Sequence, residues 1–328
     1  MEQLNYVRKG LWDSKPMRIQ TIGILIAVIV LGVIPNFTNA YAPLFLAYTM
    51  SYCIMSVSWS FFSGKTGYIS LATGAFYGLG MYLQAVLGRE LPIGITMVIA
   101  AAAAFGLAFG IGLVTLRLRG VYFTIFTFGL ALFLNKVVHW YETAFLHTKG
   151  HLVKSLGSNH TLLIYALIIF TITIFAVILM NKSRFGLALI CIGQNEDSAQ
   201  HMGVNTTFTK VMAFAVSAAP VGAVGAIMAT KAGFIDPDMS FSMTACFFPV
   251  LMAIFGGMQS LYGPIVGAVA FWTLQNWLLI KIPTQNMIVF GVIMIVVVLL
   301  LPKGLFGIVD QIMARGRKGS GGEVTLDV

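Results

Sequence analysis

The stretch IGITMVIAAAAAFGLAFGIGLVTL, residues 93–116, holds no charged side chain over 24 residues and stops at Arg117-Leu118-Arg119. At about 1.5 Å of helix rise per residue, such a run crosses a hydrocarbon core about 30 Å thick. Arginines at its end mark a cytoplasmic boundary. The rest of the chain reads the same way. Of its 328 residues 58% are hydrophobic and 9% charged, where a soluble domain has about 25% charged. Too little charge remains to coat a water-facing surface, which excludes a soluble globular enzyme and intrinsic disorder. The chain is read as an all-α polytopic membrane protein.

Working outward, apolar runs fall at residues 19–34, 44–62, 70–87, 93–116, 121–138, 162–180, 211–230, 241–258, 265–280 and 287–301, about ten transmembrane helices in all. The number drops to eight or nine if a short segment is re-entrant. With the N-terminus in the cytoplasm and all ten crossing, 14 of the 20 Lys and Arg lie on the cytoplasmic side. The reverse orientation inverts that bias, so both termini are placed in the cytoplasm. The same excess explains the net charge of +9 without nucleic acid. The organisation is then a cytoplasmic segment 1–18, a transmembrane domain 19–301 and a cytoplasmic tail 302–328. The first run reads as a retained signal anchor, because Pro35, Asn36 and Asn39 push the small pair Ala40 and Ala42 too late for cleavage.

None of the 11 acidic residues or 5 histidines falls inside an expected span. Proton-coupled carriers keep such a group in the membrane as a relay, so proton coupling is disfavoured. Sodium coupling is weakened less, since carbonyls and hydroxyls can bind sodium. Gly64-Lys65-Thr66 imitates the end of a phosphate-binding loop, but Trp59 stands where that loop needs its first glycine. Any ATP is therefore hydrolysed by another subunit. His147 and His151, with His139 and Glu142 nearby, lack a placed fourth ligand, and Cys53, Cys191 and Cys246 have no metal spacing. No metal and no cofactor is expected.

Three stretches differ from plain lipid-facing helix. The first, residues 62–80, is rich in glycine and hydroxyls, with Gly74 and Gly78 at close-packing spacing. It fits a broken helix beside a translocation path and plain helix packing equally. The second, residues 255–268, is interrupted by Gly256-Gly257 and Gly263-Pro264. At a constant offset Phe62, Gly64, Gly74 and Ala75 coincide with Phe255, Gly257, Gly267 and Ala268, which reads either as a weak internal repeat or as chance in a glycine-rich chain. The third is the polar loop 181–210. Within it Glu196, Ala199 and Gly203 fall on one face of a short helix that Asn195 caps and Gly203 ends. This element is read as a docking helix.

These residues resemble the permease family of bacterial ATP-binding-cassette importers for branched-chain amino acids. The resemblance spans about residues 58–306. It is carried by Gly67-Tyr68-Ile69-Ser70-Leu71 through Gly80, by Leu116-Arg117-Leu118-Arg119-Gly120-Val121-Tyr122-Phe123, and by Ser183-Arg184-Phe185-Gly186 through Met202-Gly203-Val204. Gly256-Gly257-Met258-Gln259-Ser260-Leu261-Tyr262-Gly263-Pro264 and Leu301-Pro302-Lys303-Gly304-Leu305 complete it. The chain is similar to the larger permease of the pair. The resemblance implies a second permease subunit, two cytoplasmic ATPases, a periplasmic substrate-binding protein and the bacterial inner membrane. It makes the docking helix the ATPase-coupling element, with Gly186, Glu196, Asp197, Ala199 and Gly203. Here Glu196-Asp197-Ser198-Ala199 replaces a more alanine-rich run, which leaves open which acid matters. Branched-chain amino acids are the default substrate, with urea, short amides or other amino acids as alternatives. Gly64, Thr66, Gly67, Ser70, Thr73, Gly74, Tyr77, Gly257, Gly263 and Gly267 are candidates to line the path. A channel and an ion-coupled carrier are the rival classes.

Overall fold

The computed structural model describes residues 41–292 less 119, 148–149, 156–157, 259 and 286–287, together with Gly32 and Ile295. The expected spans 19–34 and 287–301, the segments 1–18 and 302–328, and the Leu301–Leu305 motif lie wholly or mainly outside the described residues. Eleven α-helices are described. They are α1 (Ala42–Thr66), α2 (Thr73–Leu87), α3 (Ile93–Thr115), α4 (Val121–Tyr141), α5 (Asn159–Lys182), α6 (Arg184–Gln194), α7 (Glu196–His201), α8 (Thr206–Ala232), α9 (Pro237–Ser240), α10 (Met243–Gly256) and α11 (Gly263–Lys281). Among the described residues seven helical stretches are long and apolar enough to cross a membrane. They are α1, α3, α4 with its π-helical extension, α5, α8, α9 with α10, and α11. A helical polytopic membrane protein follows, and the count of ten spans does not.

Two of the ten expected runs lie wholly or mainly outside the described residues, and α2 accounts for the third. The run 70–87 is helical only from Thr73, and α2 has 15 residues. Residues 68–72 are not helical, although Ile69, Leu71 and Ala72 keep the run apolar. The loop 181–210 is mostly helix, since α6 and α7 fill it and α8 begins at Thr206. The 139–160 loop is also shorter than expected. There α4 passes into a π-helical turn, Glu142–Leu146. The strand β1 (His151–Leu152) then pairs antiparallel with β2 (Phe234–Ile235), His151 opposite Ile235.

Small side chains bring the helices together. On α3 the inward stripe is Ala100, Ala104, Ala108 and Gly112, and the outward face shows Val98, Leu113 and Val114. With no polar face, this helix is amphipathic in size rather than polarity, as suits a lipid-facing helix packed on others. A Cβ on Gly80 would overlap the Gly222 carbonyl, and one on Gly222 would meet Ala100 O and the Ala104 methyl. Thus α2, α3 and α8 lie in backbone contact. At 27 residues, α8 is about 40 Å long and runs from the α7 end of the bundle to the β1–β2 ribbon at the other. Beside the start of α2, Phe62, Phe76, Phe123 and Phe214 meet at centroid distances of 5.1–6.1 Å.

The helix pairs α1–α2 and α10–α11 are each joined by six residues, 67–72 and 257–262. Each connection opens on a positive-φ glycine, Gly67 at 74° and Gly257 at 104°. The last turns of α1 touch the second connection: Ser60 Oγ donates to Met258 O at 2.8 Å, and a Cβ on Gly64 would press on the same carbonyl. The breaks correspond at an offset of 190 residues, three fewer than the offset that aligns Gly64 with Gly257 and Gly74 with Gly267.

Candidate functional site

The break after α1 is held by side chains. An N–H left unbonded inside a membrane costs several kcal/mol, so each must find a partner. Tyr68 N donates to Thr66 Oγ1 at 3.3 Å, Ser70 N to Ser63 Oγ at 3.3 Å, Leu71 N to Thr127 Oγ1 at 3.0 Å, and Ala72 N to Ser70 Oγ at 3.2 Å. Carbonyls are met too. Trp59 Nε1 donates to Ser70 O at 2.7 Å and Thr124 Oγ1 to Ile69 O at 2.9 Å. The hydroxyls that make this stretch look polar in sequence therefore largely serve its own backbone.

One side chain leads out of the break. Tyr68 packs edge-on against Phe123, 5.6 Å between centroids, and its hydroxyl donates to Glu196 Oε2 at 2.6 Å. Glu196 opens α7. Its other oxygen meets Lys210 Nζ at 2.5 Å. Lys210 sits in the second turn of α8 and is buried. Its ammonium also donates to Tyr68 Oη at 3.2 Å and to Leu116 O at 3.2 Å, and lies 4.6 Å from the Tyr68 ring centre. Leu116 is the residue that follows α3. One ion pair thus ties together α7, α8, the end of α3 and the α1–α2 break.

A second tie lies beside it. Lys65 Nζ donates to Asn181 Oδ1 near the end of α5 and sits over the Phe61 ring, 5.0 Å from its centre. A Cβ on Gly193 would overlap the Lys65 carbonyl, so α6 rests directly on the end of α1.

Asn195 caps α7, its Oδ1 accepting from Ser198 N at 2.9 Å, and Gly203 follows with φ 84°. The five residues named for coupling do not form one outward face. Asp197 and Gly203 are exposed, Glu196 is half-buried and engaged by Lys210, and Ala199 is fully buried. Gly186 is buried against the end of α5, where a Cβ would strike the Met180 carbonyl. The face turned outward on α7 is Asp197, Ser198, Gln200 and His201, continued by Met202. A small-residue face lets a helix approach what it packs on, and here that is the chain's own bundle.

The path candidates are placed as follows. Gly64 and Gly67 lie at the end of α1. Thr66 Oγ1 donates to Phe62 O at 2.8 Å. Ser70 and Thr73 border a void of about 10 Å³, room for about one water. Gly74 packs on Cys246, and Gly263 and Gly267 close the α10–α11 contact next to Gly257. Tyr77 lines a larger chamber of about 300 Å³ among α1, α2, α8, α9 and α10. Sequence reasoning missed Lys210, which stood at a span edge, and Tyr68 as the tyrosine that reaches it.

A family described as branched-chain amino acid transport system / permease component matches residues 41–298. The chain is 26% identical to the high-affinity branched-chain amino acid transport system permease protein LivM of Escherichia coli strain K12, over 86% of this chain and 74% of that protein. It is 24% identical to the autoinducer 2 import system permease protein LsrC of Escherichia coli strain K12 / DH10B, over 83% of this chain and 84% of that one. It is 27% identical to the xylose transport system permease protein XylH of Haemophilus influenzae, over 40% of this chain and 37% of that one. No solved structure matches it.

Proposed function

The chain belongs to the family of permease components of branched-chain amino acid transport systems, and from that premise we propose that it is the larger membrane subunit of an ATP-driven importer for leucine, isoleucine and valine. It forms the path with a second permease in the bacterial inner membrane, both its termini in the cytoplasm. A periplasmic binding protein delivers the solute. Two cytoplasmic ATPases dock on α7 and its neighbourhood and hydrolyse the ATP. The chain itself carries out no chemistry.

The observation that supports this reading best is the Tyr68–Glu196–Lys210 cluster. It joins a short exposed helix to a break inside the bundle through one ion pair and one hydrogen bond. A partner that holds α7 differently in two nucleotide states would shift the balance of two arrangements at residues 67–72, since coupling requires a partner with different affinity for each. The α7 end also collects Lys65, Arg117, Lys182 and Arg184, as the positive-inside rule asks of a cytoplasmic face. The likeness to LsrC and XylH favours a second reading, the same machine carrying a sugar-like solute.

The test is a pull-down of the tagged chain from its native membrane in mild detergent. Wild type should bring a second permease and ATPases. The variant Asp197→Arg with Gln200→Trp, both on the exposed face, should keep the permease and lose the ATPases. Full ATPase recovery with that variant would overturn docking through α7.

A further inference from the structure

Helix α4 faces outward along most of its length and is buried only at Phe123, Thr127, Leu130, Ala131 and Asn135. Polar side chains fasten it at two places. Near its start Thr124 Oγ1 donates to Ile69 O at 2.9 Å and Thr127 Oγ1 accepts from Leu71 N at 3.0 Å, so the helix grips the α1–α2 break. Just past its end the buried Glu142 accepts from Tyr82 Oη of α2 at 2.8 Å and from Gly150 N at 3.1 Å. The two attachments differ in stiffness. Tyr82 belongs to α2, which α8 interlocks: a Cβ on Gly225 would overlap the Tyr77 carbonyl, and one on Gly80 the Gly222 carbonyl. Residues 68–72 are not helical and lean on side-chain hydrogen bonds.

Asn135 sits between the two attachments. It is 6% exposed, and its Nδ2 donates to Asp238 Oδ1 of α9 at 3.0 Å. A carboxamide buried on a lipid-facing helix is costly and is kept for a partner. That partner stands at the mouth of the 300 Å³ chamber, because Met239 of α9 lines it and is 51% exposed, and Ser242 and Thr244 line it just beyond. Helix α9 is a compact unit: Asp236 Oδ1 accepts from Met239 N at 2.7 Å and Asp236 O from Ser240 Oγ at 2.8 Å. Its apolar hold on α2 can slide, since the Phe241 ring rests on Gly78 and stacks on Tyr82 at 5.9 Å between centroids.

We propose that α4 is a lever, that the Glu142–Tyr82 contact is its pivot, and that α9 is the outer gate of the chamber, held shut through Asn135. Asn135 lies seven residues from Glu142, about 10 Å along the helix, and Thr124 lies eighteen, about 27 Å. A shift of about 2 Å at the break, an ordinary size for a helix displacement, therefore moves Asn135 by about 0.8 Å. Directed away from α9, that carries a 3.0 Å hydrogen bond past its useful length. A lipid-facing helix swings with little repacking, because lipid replaces lipid along its outer side. The Tyr68–Glu196–Lys210 cluster holds the break, so whatever holds α7 also sets the gate. The proposal rests on the importer reading only for what acts on α7.

The test reads the complete chain in open fragments of its native membrane. Met228 lines the chamber and is 4% exposed, so Met228→Cys places a thiol that a water-soluble maleimide reaches when the gate opens. Labelling is followed by the mass of the peptide that carries this thiol, which keeps Cys53, Cys191 and Cys246 apart from it. Asp238→Leu, on the exposed side of α9, should speed labelling about tenfold, the size of one charge-assisted hydrogen bond, and Asn135→Leu should match it. Asp238→Asn keeps the acceptor oxygen and should stay within about twofold of the parent. Lys210→Met, at the other end of the lever, should speed labelling about fivefold or more. Adding Tyr82→Phe removes the pivot and should cut that factor to under about twofold. Parent-like labelling in both leucine variants, no response to Lys210→Met, or a Lys210→Met factor that Tyr82→Phe leaves unchanged would overturn the proposal. The two readings fail separately. A transmitted effect in a chain whose pull-down brings no ATPase faults the importer and keeps the lever. ATP-driven leucine uptake with no transmitted effect does the reverse.

Discussion

Replacing Lys210 by methionine keeps the apolar stem, one atom shorter, and removes the charge. The ammonium now serves Glu196 Oε1 at 2.5 Å, Tyr68 Oη at 3.2 Å and Leu116 O at 3.2 Å, with 3% of the side chain exposed. Removing one partner of a buried pair costs about 3–5 kcal/mol when the other is stranded. Glu196 is not fully stranded, because 18% of its side chain is exposed and Tyr68 still donates to it. The expected cost is therefore lower, about 2–3 kcal/mol. It falls on the attachment of α7 rather than on the whole bundle, because the Lys210 ammonium is what holds the start of α7 to α8. Local opening of α7 becomes about 30- to 150-fold more frequent. Amide hydrogen exchange reads this directly at Ala199 and Val204, whose N–H groups bond to Asn195 O at 3.0 Å and Ala199 O at 3.1 Å. Adding Glu196→Gln removes the uncompensated carboxylate and should restore most of the protection. Exchange within threefold of wild type in Lys210→Met, or no recovery in the double variant, would refute the latch.

Three further outcomes follow from the packing. Gly222→Val pushes side-chain atoms into Ala100 O and the Ala104 methyl, where overpacking costs about 1–3 kcal/mol or more against rigid backbone, so fluorescence-detected size exclusion should show much less monodisperse protein. Gly193→Ala forces α6 off the Lys65 carbonyl, so ATPase recovery in the pull-down should fall while the amount of chain in the membrane stays near wild type. Tyr82→Phe removes a 2.8 Å hydrogen bond to Glu142, which is buried and also takes the Gly150 N–H. It should cost about 1.5–3 kcal/mol and speed exchange in β1 while leaving α7 unchanged.

The long spans were legible because each is a long apolar run with little or no charge, Lys136 being the one charge inside an expected run. Residues 93–116 became α3 with its end one residue earlier. The start of α2 was not, because the non-helical Ile69, Leu71 and Ala72 are as apolar as a helix. The hydroxyl-rich composition of residues 62–80 did carry information, but about a backbone that needs side-chain partners. Lys210 read as a basic residue at a span edge. Its burial depends on Glu196, 14 residues away, and on Tyr68, 142 away. Periodicity grouped Glu196, Ala199 and Gly203 on one face of α7; Glu196 and Ala199 do turn toward the bundle, while Gly203 lies past the helix end and is exposed. It could not say whether that face turns inward, which the surrounding bundle decides. For the chamber, Tyr48, Ser51, Tyr52 and Met55 show at helical spacing on α1, and Tyr77 with Met81 on α2. Packing alone brings these two faces together with Met228 and Thr244.

The most direct measurement is leucine uptake by cells that carry the complete importer, compared with cells lacking this chain, when the two energy sources are separated. Chain-dependent uptake should stop when ATP is depleted and the membrane potential is kept, and should persist under a protonophore while ATP is held constant. Chain-dependent uptake that survives ATP depletion, or collapses with the proton gradient alone, would contradict an ATP-driven permease and return the chain to the channels and ion-coupled carriers.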